Sequence, residues 1–170
     1  MTRRDLIHKW LVYGLGLLPL WLLDAYILPR YPLLGFTPML LPLVAAAVAV
    51  LEGAFAGAGF GMAVGLLWEL AYPGGFGGLV IGLTAAGMAM GAVSQYALRQ
   101  SFAGFLVCSG ALLFLLDGLR VLQGLLTNTA SLGQLLAVAL PEYLLTMLWS
   151  PAVWLVFRGI FRKVGGTKLA

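Results

Sequence analysis

The sequence predicts an all-α polytopic membrane protein, with six transmembrane helices forming one domain over residues 1–170. Three observations predict it. The chain is 62% hydrophobic and only 9% charged, whereas a soluble domain is about a quarter charged. Turn signals divide it into six apolar runs, each near the ~20 residues that cross a bilayer's hydrocarbon. Its basic residues also fall in alternate connections, as an even number of spans requires.

The runs follow in order. The first extends from Lys9 to Leu28 and ends at PRYP (29–32); it lacks an A-x-A cleavage pattern, so a retained span is expected rather than a signal peptide. The second, 36–51, is short or tilted, and the third occupies 53–71. YPGGFGG (72–78) reads as a glycine-rich hairpin before the fourth run, 78–98. RQS (99–101) precedes the fifth, 102–126, and TNTASLGQ (127–134) precedes the sixth, 135–157. Pro19, Pro141 and Pro151 lie in or near runs, where membrane helices tolerate kinks.

Charge orients this layout. Arg3, Arg4, Lys9, Arg99, Arg158, Arg162, Lys163 and Lys168 fall on one side, against Arg30 alone in a loop on the other. The positive-inside rule places both termini in the cytoplasm.

Within the third run Gly53, Gly57, Gly61 and Gly65 recur every four residues, and Glu69 takes the next step. Residues four apart share one helix face, and in water each glycine would weaken the helix by roughly 1 kcal/mol relative to alanine. In lipid, small residues at this spacing let two backbones approach and pack. Gly78 and Gly82, then Gly87 and Gly91, repeat the device on the fourth run. These faces are expected to pack against helices of the bundle or against a second protein.

Five of the six acids lie in or beside runs. At about 1.5 Å of rise per residue, Asp24, Glu69, Asp117 and Glu142 gather in the outer leaflet with Arg120, while Glu52 belongs at the cytoplasmic boundary. An ionised acid at mid-membrane costs roughly 2.5–3.5 kcal/mol even on the mild insertion scale. Two accounts stand. Asp24 and Glu69 reach the headgroups while Asp117 pairs with Arg120 at i,i+3, or the five residues share a polar pocket open to the outer face.

Other chemistry finds little footing. One histidine (His8, among basic residues) and one cysteine (Cys108, inside an apolar run) assemble no metal site, and they supply no nucleophile–base pair. No catalytic residue and no cofactor is expected. GAGFG (57–61) has no preceding strand and no suitably placed Lys, so it is not a nucleotide loop. The basic residues lie at the tails, where orientation explains them better than nucleic acid does.

LLGFTPMLLPLVAA (33–46), the G-x3-G-x3-G ladder, GLLWEL (65–70), the short Gly/Pro hairpin and GGLVIGL (77–83) together resemble the MreD family of rod-shape-determining membrane proteins. The likeness covers about a third of the chain, from Pro32 to Gly91, and the six-span layout extends it. In that family an acid, most often Asp, follows the GLL element; here it is Glu69. Where the family often has Pro-Asp this chain has Pro38-Met39, so that acid's role does not transfer. The resemblance implies a non-enzymatic membrane scaffold of the cell-elongation and peptidoglycan-synthesis machinery. It would partner an MreC-like protein and, indirectly, MreB, RodA and a class B penicillin-binding protein. The family's fold is similar to the S components of energy-coupling-factor transporters, which implies the rival function of capturing a vitamin or other micronutrient. On that reading Ala45 and Ala49 would form the A-x3-A face shown to the coupling subunit.

Overall fold

The computed structural model describes residues 3–32, 35–71, 77–98, 100–129 and 131–164, except for the side chains of 3–6 and 97–98. The 72–76 hairpin, Leu33 and Leu34 of the family-like stretch, Arg99 and Lys168 lie outside the described residues.

Each hydrophobic run carries a helix, although α1 begins six residues before its run and α6 ends seven residues after its own. α1 spans Arg3–Leu22 and continues as a π-helical turn, Leu23–Ile27. α2 is Leu40–Glu52, α3 Ala54–Ala71, and α4 Gly78–Val93 with a π-helical extension Ser94–Leu98. α5 spans Phe102–Leu126 and α6 spans Leu132–Val164. No strand occurs among the described residues. Five of the helices are long and apolar enough to cross a membrane.

The second run departs from expectation. α2 has 13 residues, roughly 20 Å of helix, against the ~30 Å of a hydrocarbon core. Every residue of it is buried, and it touches α1, α3, α4, α5 and α6. Sequence explains the position: LLPLVAAAVAVL is apolar on all sides, and a helix apolar all round belongs inside. Its alanines, Ala45, Ala46, Ala47 and Ala49, let the surrounding helices close in.

The ladder packs, but with altered membership. A Cβ on Gly57 would stand 2.3 Å from the Gly87 carbonyl oxygen, and one on Gly61 would stand 2.2 Å from that of Leu83. At Gly65 it would meet Val80 Cα at 2.7 Å. α3 and α4 thus lie backbone on backbone, as close packing in lipid favours. Gly53 is not on α3. Its φ of +93° ends α2, the left-handed region that glycine enters without strain. There it faces Gly91, whose Cβ would come within 2.4 Å of its carbonyl carbon. Gly78 and Gly82, expected to share the packing face, have nothing within 4 Å of a Cβ. The contact face of α4 is Leu83, Gly87 and Gly91 instead, because the helical phase that buries Gly87 turns Gly82 outward.

Candidate functional site: the fastenings of the central helix and the α5–α6 cleft

A wholly buried helix needs protein partners for the backbone groups at its ends, since water cannot reach them. α2 has them at both. At its start, the Leu40 amide donates to Asp24 Oδ1 at 2.8 Å and the Met39 amide donates to Thr146 Oγ1 at 3.0 Å. Met39, the N-cap, makes no side-chain cap bond of its own. Asp24 supplies the cap from α1, and its carboxylate sits where a helix's positive end stabilises it. The π turn carries Asp24 inward to a buried position.

At the other end, Gln100 Nε2 donates to the Leu51 carbonyl at 2.7 Å. The Glu52 carboxylate accepts from Lys9 Nζ, and from the Tyr13 hydroxyl at 2.7 Å. Lys9, Tyr13 and Glu52 are all buried. Tyr13 stacks on Phe157, with ring centroids 6.2 Å apart, and meets Phe60 edge-on. The expectation for Glu52 and Lys9 was a boundary position and an orienting charge. Here they form a buried ion pair joining α1 to α2.

The five expected cluster residues divide. The Thr146 hydroxyl donates to the Glu142 carbonyl at 2.7 Å, so Asp24, the start of α2, Thr146 and Glu142 follow one another in a connected series. Arg120 Nη1 reaches both Glu142 oxygens at 3.5 Å. This replaces the expected Asp117–Arg120 pair. Both residues are on α5, but the guanidinium swings across to α6 while Asp117 turns inward. Asp117, Arg120 and Glu142 line a cleft of about 430 Å³ between α5 and α6, with Val121, Gln134, Leu135, Val138 and Ala139. Glu69 is not brought into this series. One of its carboxylate oxygens is buried with no hydrogen-bond partner, and nearby on α3 the Leu67 carbonyl accepts from Trp21 Nε1 at 3.2 Å. Of the five residues, the cleft between α5 and α6 gathers three, Asp117, Arg120 and Glu142.

Ala45 and Ala49, the alternative docking face, are fully buried. Ala49 lies against α3, its Cβ 2.8 Å from where a Gly57 Cβ would be. Surrounded by five helices, that face is interior. Cys108 is buried, as its apolar run implies. Among the described residues no group of three or more His, Cys, Asp or Glu side chains is placed to hold a metal ion.

Fold and site define an all-helical protein of the class with several helices able to cross a membrane, assembled around a short central helix. No protein-family model, curated protein or solved structure matches the chain.

Proposed function

We propose that the chain is a non-enzymatic scaffold in a bacterial inner membrane, acting in cell elongation beside an MreC-like protein, with both termini cytoplasmic. The motif resemblance between Pro32 and Gly91 leads to this reading. The observation that carries it further is the filled centre. α2 occupies the middle of the bundle and is buried along its whole length. Asp24 and Thr146 fasten one end, while Lys9, Tyr13 and Gln100 fasten the other. The polar groups at the ends of α2 are thus spent on the protein's own backbone and charges. Such a bundle is suited to holding a fixed outer shape for a partner.

Co-expression of the full chain with the MreC-like protein and, separately, with the coupling subunits of an energy-coupling-factor transporter tests the reading. Stable co-purification with the first alone is expected. Co-purification with the coupling subunits, together with a tightly held metabolite, would replace it with the micronutrient-capture function.

A further inference from the structure

α6 carries two polar groups that its neighbours leave without partners. Ser150 is 1% exposed and Trp154 3% exposed, and neither Ser150 Oγ nor Trp154 Nε1 has a hydrogen-bond partner among the described residues. Both belong to a helix long and apolar enough to cross a membrane. There a missing hydrogen bond is costly, because lipid supplies none.

The other buried hydroxyls of the bundle show what Ser150 does not do. Ser94 donates to the Gly91 carbonyl at 2.9 Å, Ser109 to that of Phe105 at 2.7 Å, and Thr146 to that of Glu142 at 2.7 Å. Each bonds its own helix three or four residues back, the ordinary recourse of a hydroxyl within a helix. After Ser150 comes Pro151, inside α6. A proline there has no N–H for the carbonyl four residues earlier, which is that of Met147. One turn of α6 thus holds a hydroxyl, an indole N–H and a carbonyl deprived of its helical donor.

These groups share one place. Residues three and four apart are neighbours on a helix, and a long side chain covers the turn N-terminal to its own Cα. That puts the Trp154 indole over the turn to which Ser150 and Met147 belong. Its ring is held there by α5, stacked on Phe105 with centroids 5.1 Å apart and tilted against Phe102 at 6.1 Å. An indole N–H only donates and a carbonyl only accepts, whereas a hydroxyl does either. What satisfies all three must therefore accept and donate at once. An anion could not donate to the carbonyl, and a cation could not accept from the indole. Water does both, and a buried water ordinarily has two to four polar partners.

We infer that this turn of α6 is a binding site for one water molecule inside the bundle. The water accepts from Trp154 Nε1 and from the Ser150 hydroxyl, and it donates to the Met147 carbonyl. It restores across Pro151 the link that the proline interrupts, while the indole stays packed on α5. The scaffold reading does not enter this inference and survives its failure.

The test is nuclear magnetic resonance of the full chain in detergent micelles, with nitrogen-15 in its tryptophans. The Trp154 indole is the resonance that Trp154→Phe removes, a change that keeps a ring against Phe105. Cross-relaxation between its proton and a long-lived water is expected. It should persist in Ser150→Ala, where the water keeps the indole and the carbonyl. It should weaken several-fold in Pro151→Ala, which gives Met147 back a helical donor. Unmoved resonances of the other four tryptophans show that a variant is folded, and if one variant fails this check the other decides. No water cross-peak at the Trp154 indole of the wild type overturns the site. A cross-peak lost in Ser150→Ala also overturns it, assigning the signal to the serine hydroxyl and a direct bond from the indole. So does a cross-peak left unchanged by Pro151→Ala.

Discussion

Lys9 and Glu52 are 43 residues apart, and the ion pair they form is buried. Removing one partner of a buried pair typically costs about 3–5 kcal/mol, because the other charge is stranded. Lys9→Met should therefore lower the unfolding free energy in detergent by that order. Adding Glu52→Gln to the same chain should recover much of the loss, as a double-mutant cycle would detect. Arg120→Ala belongs at the opposite extreme. Its side chain is half-exposed and its contacts with Glu142 are long, at 3.5 Å. Pairs of that kind are worth about 0–1 kcal/mol, so the substitution should be nearly silent in the same assay. A large loss there would restore the Asp117–Arg120 pairing expected from their spacing.

The α3–α4 hairpin sets the scale of an element. Its helices touch through main chain, so the identity of each residue on the seam is decided by whether a Cβ fits. Gly61→Leu would drive a side chain into the Leu83 carbonyl, and neither backbone can yield without separating the helices along their length. Folded yield should fall several-fold, as measured by the monodisperse fraction in size-exclusion chromatography. Met62→Leu, on the exposed side of α3, and Gly82→Leu, with open space around it, should both stay near wild type. Equal behaviour of Gly61→Leu and Gly82→Leu would refute the seam. Four-residue spacing alone marked both glycines. What separates them is the rotation of α4 about its axis, set by which face meets α3.

For the whole molecule, the proposal of inward-facing termini rests on charge asymmetry across alternate connections. In the structure α2, though short, links the level of Asp24 to the level of Lys9, because its first amides meet Asp24 and Thr146 and its last residue meets Lys9. With α2 counted as a pass, the proposed six spans would keep both ends on one side. Cysteine labelling in a Cys108→Ala background checks this. A cysteine at Lys168 should react with an impermeant reagent only after the cells are opened, whereas one at Asn128, on the α5–α6 connection, should react in intact cells. The reverse pattern would invert the orientation and move that connection to the cytoplasmic face.

Helix number, class and approximate bounds were legible in the sequence because they depend on local composition. An apolar run of twenty residues must be helical in lipid to satisfy its own backbone, whatever surrounds it. A close contact through one face of α3 was legible for the same reason, since glycine every four residues makes one bare face, but not that α4 is what meets it. The sequence also gathered Asp24, Glu69, Asp117, Arg120 and Glu142 in one leaflet, because helical rise converts position into depth. Tertiary structure alone decided which of them meet. No spacing relates Lys9 to Glu52, Asp24 to Leu40, or Arg120 to Glu142 rather than to Asp117. It also decided that α2 lies at the centre, with its ends fastened by its neighbours. Those outcomes depend on helix rotation and register, which follow from packing all six helices at once and leave no trace in the spacing along any one of them.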